Sequence, residues 1–161
     1  MYPRTHSIRT RSFVALLLGL FVTGVSAADI TQVQAEVALA AALEKAAEQE
    51  TLMNIAIVDA GANLKAFVRM DGSYLGSIDV AIKKAKTARF FDTATGNLGK
   101  ITQPGDAIFN IELTNGGLVT FPGGLPLKND EGKIIGAIGV SGGSIDDDHE
   151  VALAAAAALL R

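Results

Sequence analysis

Cysteine is absent from the 161 residues, and histidine occurs only twice. The first absence excludes disulfides, thiolate zinc sites, iron–sulfur clusters and cysteine nucleophiles. The second restricts metal chemistry. His6 lies in an N-terminal segment read below as removable, so His149 alone remains, and no site of two or three histidines can form within one chain. Basic residues are outnumbered, 14 Lys and Arg against 17 Asp and Glu. A net-negative domain repels phosphate backbones and argues against nucleic-acid binding. No basic amphipathic segment favours a membrane surface.

One long apolar run exists, Phe13–Val25 (FVALLLGLFVTGV). It is too short to span a bilayer, which takes roughly 20 apolar residues. Arg4, Arg9 and Arg11 precede it, no acid occurs before Asp29, and Val25-Ser26-Ala27 supplies small residues for cleavage. These features predict a signal peptide over residues 1–27, with cleavage after Ala27; Val25 is not ideal at the −3 position of that site, which leaves cleavage after Ala28 as the alternative. Thr10 separates the last two arginines, so the signal is not of the twin-arginine kind. The expectation is one periplasmic or secreted domain over 28–161, with no membrane insertion after cleavage. Removing three arginines leaves 11 basic against 17 acidic residues, a net of −6.

Residues 29–49 read as a helix, opened by a Thr31/Gln34 capping box, with Val33, Val37, Ala40, Leu43 and Ala47 as its apolar stripe. Asn54–Asp59 and Leu64–Met70 read as strands of a hairpin around Ala60–Asn63. Ser77 is placed to cap a helix running to about Phe91. Its Lys83, Lys84, Lys86 and Arg89 form a basic cluster, read as solvated or as paired with an anionic ligand or a neighbouring subunit. Thr93–Asp106, with Gly96, Gly99, Pro104 and Gly105, reads as irregular. Three strands follow, Leu118–Phe121, Leu125–Lys128 and Lys133–Ser141, then an alanine-rich helix from Ser144 with Asp147 at its third position. The order α-β-β-α-β-β-β-α, joined largely by hairpin-length turns, predicts an α+β fold with a mainly antiparallel sheet.

Three glycine-rich stretches carry the chemistry to be weighed. Gly139-Val140-Ser141-Gly142-Gly143 matches G-x-S-x-G at a strand-to-helix turn. A Ser–His pair needs a histidine from a separate loop, and His149 lies on the very next helix, so close packing is the better account. A phosphate cradle is opposed by Asp146, Asp147 and Asp148 in that helix's first turn. Thr114-Asn115-Gly116-Gly117 and Phe121-Pro122-Gly123-Gly124 either admit a ligand to the backbone or form tight turns. Candidate iron ligands reduce to His149, Tyr74, Met53, Met70, carboxylates and the weak oxygen donor Thr114.

Four segments in order, Met53–Gly72 (MNIAIVDAGANLKAFVRMDG), Gly76–Phe91 (GSIDVAIKKAKTARFF), Leu113–Leu127 (LTNGGLVTFPGGLPL) and Gly132–Ala152 (GKIIGAIGVSGGSIDDDHEVA), resemble the GlcG/HbpS-like haem-binding family. That family includes the C-terminal domain of PduO-type cobalamin adenosyltransferases. The resemblance spans about Ile30 to the C-terminus. It implies a profilin-like fold with a five-stranded sheet, self-association into a homo-oligomer, and haem as cofactor. It further implies, for exported members, haem degradation or redox sensing through a partner sensor kinase. A threonine that ligates haem iron in an exported member matches Thr114 here. The implied pocket comprises Arg69, Asp71, Lys84, Asn115, Gly116, Gly117, Phe121, Gly123 and Gly124. Arg69 and Lys84 would pair with carboxylates such as haem propionates, and Phe121 would supply an apolar face. Two other readings stay open: a binder or enzyme for a small organic acid, and a ligand-free accessory subunit. No residue set makes an acid–base pair, so catalysis is unassigned.

Overall fold

The structure, a computed structural model, describes residues 28–160, and the expected signal segment lies outside them. Helix α1 is Gln32–Glu48, strands β1 and β2 are Asn54–Asp59 and Leu64–Arg69, and helix α2 is Gly76–Phe90. A short helix α3, Thr95–Gly99, and one 3-10 turn, Ile111–Leu113, precede β3 (Gly124–Lys128), β4 (Ile134–Ser141) and helix α4 (Ile145–Ala158).

The strands form one sheet in the order β2-β1-β4-β3, with every neighbouring pair antiparallel. Side chains alternate across it. Ile55, Ile57, Ile138 and Val140 face α1 and α4, while Ala56, Val58 and Ala137 face α2. The two faces differ in size of residue. Against α2 they are mostly alanines and glycines, and a Cβ on Gly139 would overlap the Ala81 carbonyl oxygen and the Ala85 amide. The helix therefore lies directly on the strand backbone.

The expected α+β class and antiparallel sheet are observed, but the described residues hold four strands instead of five. Leu118–Phe121 is buried at Leu118 and Val119 without joining the sheet. The Val119 amide donates to the Thr87 hydroxyl of α2 (3.1 Å), a side-chain substitute for a ladder partner. The capping boxes at Thr31 and Ser144 form as read from sequence. Ser77 does not cap α2; Leu75 occupies the cap position with no side-chain hydrogen bond. The α1 stripe is also displaced. Ala35, Ala38, Ala42 and Ala46 are buried, whereas Val33 remains 68% exposed. Alanine lets α1 and α4 approach closely, and that gain outweighs burial of two valines. Helix α3 forms inside the stretch that reads as irregular, because glycines open and close it. A Cβ on Gly96 would fall 2.8 Å from Pro122 Cγ, and one on Gly99 would overlap the Thr120 carbonyl, so these glycines seat the helix on segment 120–122.

Candidate functional site

Lys84 is the largest fully buried side chain. Its Nζ donates to Asp148 Oδ2 at 2.6 Å and to the Val140 carbonyl at 2.8 Å, and it lies 4.5 Å from the Phe121 ring centroid. Burial pushes the Lys84 ammonium down from its ordinary pKa, opposed by the Asp148 carboxylate. Burial likewise pushes Asp148 up, opposed by Lys84 and by the amides of Gly143 and Gly142. A desolvated pair survives when its remaining polar contacts are filled, and here a carbonyl, a backbone amide and an aromatic face fill them.

Gly123 and Gly124 belong to the same knot. At Gly123, with φ of +112°, a Cβ would lie 2.7 Å from Lys84 Nζ and from the Val140 carbonyl oxygen. At Gly124 it would meet Thr95 and the Lys84 carbonyl. The Thr95 hydroxyl donates to the Phe121 carbonyl (2.7 Å) and accepts from the Gly124 amide (3.0 Å), which locks the turn. The propionate-pairing role expected for Lys84 is thereby corrected. Its ammonium is enclosed and fully engaged, and Gly123-Gly124 admits a lysine head rather than a ligand.

The other glycine pair is open. Thr114, Asn115 and Gly116 are exposed, and a Cβ on Gly116 would meet nothing within 4 Å. Asn115, Gly116 and Gly117 run with φ of +53°, +74° and +101°, a conformation glycine adopts without steric cost. The loop is closed at its base by the Leu118 amide donating to the Glu112 carbonyl (2.9 Å). The Thr114 hydroxyl donates to the Ile111 carbonyl (2.7 Å) and accepts from Asn115 Nδ2 (3.0 Å). Leu113 beside it is 81% exposed. A cation that the sequence names in the basic cluster of α2, outside the implied pocket, sits here: a Cβ on Gly117 would be 3.1 Å from Lys83 Nζ, which is ion-paired with Asp79 (2.8 Å) yet still partly exposed. The signal that separates Lys83 from Lys84 is helical phase. Lys84 falls in register with the buried Ala81 and Ala88, and Lys83 falls outside it.

Among the described residues, no hydrogen bond or ion pair ties Arg69 or Asp71 to this loop. Arg69 ends β2 at one edge of the sheet, and its Nη2 donates to the Ser73 carbonyl (3.2 Å). Gly124 opens β3 at the other edge, three interstrand spacings or roughly 14 Å away. Arg69 and Asp71 are both exposed, and among the described residues they form no ion pair within 4 Å. The expected single pocket is thus divided into the buried knot, the open loop and the Arg69 edge.

The remaining iron-ligand candidates separate as sharply. Met53 is fully buried, and Met70 Sδ accepts from the Met53 amide (3.3 Å). His149 Nδ1 is buried without a hydrogen-bond partner, and Tyr74 and Thr114 are exposed. No group of three or more histidines or carboxylates among the described residues is placed to hold a metal ion. Ser141 closes β4 and is buried, with no hydrogen bond to His149, while Gly142 and Gly143 press on Leu52 and Met53. The G-x-S-x-G match is a packing motif. The turn's amides are taken by the chain's own acids, Gly143 by Asp148 (3.1 Å) and Ser144 by Asp147 (3.1 Å).

Fold and site together define a small α+β domain with an exposed glycine loop that carries a neutral oxygen donor, Thr114, and has the Lys83 cation of α2 beside it. Residues 30–157 match the model of the haem degrading protein HbpS-like family, and the chain belongs to that family. The corrinoid adenosyltransferase PduO of Salmonella typhimurium is 40% identical over 120 residues, 74% of this chain. The chain spans only 35% of that relative's length. Protein GlcG of Escherichia coli K12 is 34% identical over 112 residues, covering 70% of this chain and 81% of GlcG. Among solved structures, a PduOC–haem complex superposes with a TM-score of 0.77 at 37% identity, over 81% of this chain and 94% of that one. A double mutant of HbpS from Streptomyces reticuli superposes with a TM-score of 0.76 at 26% identity, over 98% and 99% of the two chains.

Proposed function

We propose that this chain is an exported haem-binding protein that holds haem against the Thr114 loop. The observation that carries the reading is the Thr114 hydroxyl. Its proton is committed to the Ile111 carbonyl at 2.7 Å and one lone pair accepts from Asn115 Nδ2 at 3.0 Å, which leaves one lone pair for a ligand on an exposed loop. Leu113 offers an apolar contact, bare Gly116 allows close approach, and Lys83 stands by Gly117 for a propionate. These residues fit an open, surface-held haem. A neutral oxygen is a hard donor and favours ferric over ferrous iron. The solved haem complex of a relative 37% identical to this chain adds support.

Bound haem would supply the redox-active iron. The chain's part is to bind and orient it: Thr114 at the iron, Lys83 at a propionate, and the Glu112–Leu118 closure keeping the loop in shape. Among the described residues, Asp79 is held by Lys83 and Glu112 by the Thr120 hydroxyl, so neither acid is set up as a proton donor or acceptor at Thr114. Haem degradation, or redox signalling to a sensor kinase, would therefore draw on the iron and an external oxidant.

Export rests on the apolar run and arginines of residues 1–27. Ile30 is fully buried with its amide on the Ile135 carbonyl (2.9 Å), and Ala28 packs against the core. Cleavage after Ala27 would leave both of these docked residues in the domain. N-terminal sequencing of the protein from the extracytoplasmic fraction should begin at Ala28 or Asp29; an intact Met1 would refute export by cleavage. Titration with haemin should give a saturable Soret shift, with an altered spectrum in Thr114→Ala. An unchanged haemin spectrum with the native protein would remove the haem reading, and thermal stabilisation by a panel of small carboxylates would then favour the organic-acid alternative.

A further inference from the structure

A groove of about 390 Å³ lies between α3 and segment 120–122, and none of the residues Thr114–Gly117 lines it. That volume falls in the range of small-molecule sites, roughly 300–1,000 Å³. Its walls are fixed. Gly96 and Gly99 seat α3 on Pro122 and on the Thr120 carbonyl, and the fully buried Thr95 hydroxyl grips the Phe121 carbonyl at 2.7 Å.

Phe121 lines this groove and is 42% exposed. Its ring carries the Lys84 ammonium at 4.5 Å, and that ammonium is tethered by Asp148 and the Val140 carbonyl. An aromatic face is electron-rich and attracts cations. With a fixed cation already drawing on the ring, the accessible part of Phe121 is a poor seat for a second cation and a good one for an electron-rich ring. Lys100, also in the lining, is exposed; its Nζ meets only Asn97 Oδ1 at 3.4 Å and has no carboxylate partner among the described residues. Two acids touch residues of the lining, Asp106 at the Gln103 amide (2.7 Å) and Glu112 at the Thr120 hydroxyl (2.7 Å); both keep their charge, and neither is paired with Lys100.

We propose that this groove is a second ligand site, for a flat aromatic carboxylate whose ring stacks on Phe121 and whose carboxylate pairs with Lys100. The site stands apart from the Thr114 loop and does not depend on haem being bound there. Phe121 thereby serves two groups, an internal ammonium and an external ring. The exposed aromatic residue and the buried lysine are two parts of one device.

The test is a 1H–15N NMR titration of the protein, purified as its host produces it, with 2-naphthoate as the probe. Amides of Gly96, Gly99 and Gln103 should shift saturably. The cation 1-naphthylmethylammonium should bind at least roughly fivefold more weakly, and Lys100→Ala should lose about the same factor, the scale of one exposed ion pair. Phe121→Leu should lose binding of 2-naphthoate more than that of the non-aromatic cyclohexanecarboxylate. Absent shifts, equal affinity for the cationic probe, or shifts confined to residues 114–117 would each overturn the proposal. Lys100→Ala lies on the surface and keeps the test valid should Phe121→Leu fold poorly.

Discussion

Two Gly-Gly pairs, close together in the chain, do opposite work in this molecule. Gly123-Gly124 is buried where a Cβ would collide with Lys84, Val140 and Thr95; Gly116-Gly117 stands open, and Gly116 meets nothing. The same contrast runs through two adjacent lysines. Lys84 is sealed against Asp148, whereas Lys83 reaches the rim of the open loop. The lesson is that a glycine pair signals close approach without saying by what. In the first case the visitor is a side chain of the protein itself, and in the second the space is left for something else.

The largest effect should come from splitting the buried pair. Lys84→Ala leaves Asp148 desolvated and unpaired, a loss of about 3–5 kcal/mol by chemical denaturation. The double variant Lys84→Met, Asp148→Leu should recover most of it; a single variant as stable as native would show that the pair is not sealed. Next come the glycines. Gly123→Ala forces a Cβ against the Lys84 head and should cost about 1–3 kcal/mol. Gly116→Ala, with open space around it, should cost about 1 kcal/mol from its left-handed backbone alone, less than Gly123→Ala, which adds a clash to a positive φ of its own. Equal losses would erase the distinction between the two pairs. A smaller effect is expected at Thr114. Thr114→Ala should change stability by no more than about 0.5 kcal/mol while altering the haemin spectrum, read by melting and by absorption on the same sample.

The smallest prediction concerns pH at the base of the loop. The Thr120 hydroxyl holds the Glu112 carboxyl below its ordinary value, as do backbone and Thr102 contacts against a slight cost of burial. A lowered folded-state pKa contributes stability above the unfolded value, and that contribution is lost as pH falls through the folded value. Thr120→Val should therefore raise the Glu112 midpoint, followed by carboxyl NMR, and reduce stability above the ordinary carboxylate value of 4.5 but not at strongly acid pH. An unmoved midpoint would show that the loop base is not held by this contact.

Local chemistry is legible in the sequence where the cause is local. The Thr31 and Ser144 capping boxes and the β1–β2 hairpin depend on residues a few positions apart, and they stand where the sequence puts them. Long-range packing is not legible. Nothing near Leu118–Val119 announces that Thr87, some thirty positions earlier, takes the Val119 amide and keeps the segment out of the sheet. Nothing near Gly96 and Gly99 announces that their missing side chains seat a helix. The site follows the same rule. Thr114, Asn115, Gly116 and Gly117 stand out as a contiguous run, whereas Arg69 lies at the β2 edge, across a sheet that holds it about 14 Å from Gly124 of the other glycine pair. Charge alone does not separate Lys83 from Lys84; the resemblance implied Lys84, whereas helical phase puts Lys84 on the buried face of Ala81 and Ala88.

The division between an open loop and a sealed knot is tested most directly by haemin affinity and melting temperature measured together on Lys83→Ala and Lys84→Met. Lys83→Ala should bind haemin several-fold more weakly, the scale of one partly exposed ion pair, and melt like the native protein. Lys84→Met should melt well below it and, where still folded, bind haemin as the native protein does. Native affinity in Lys83→Ala together with lost affinity in folded Lys84→Met would contradict the account.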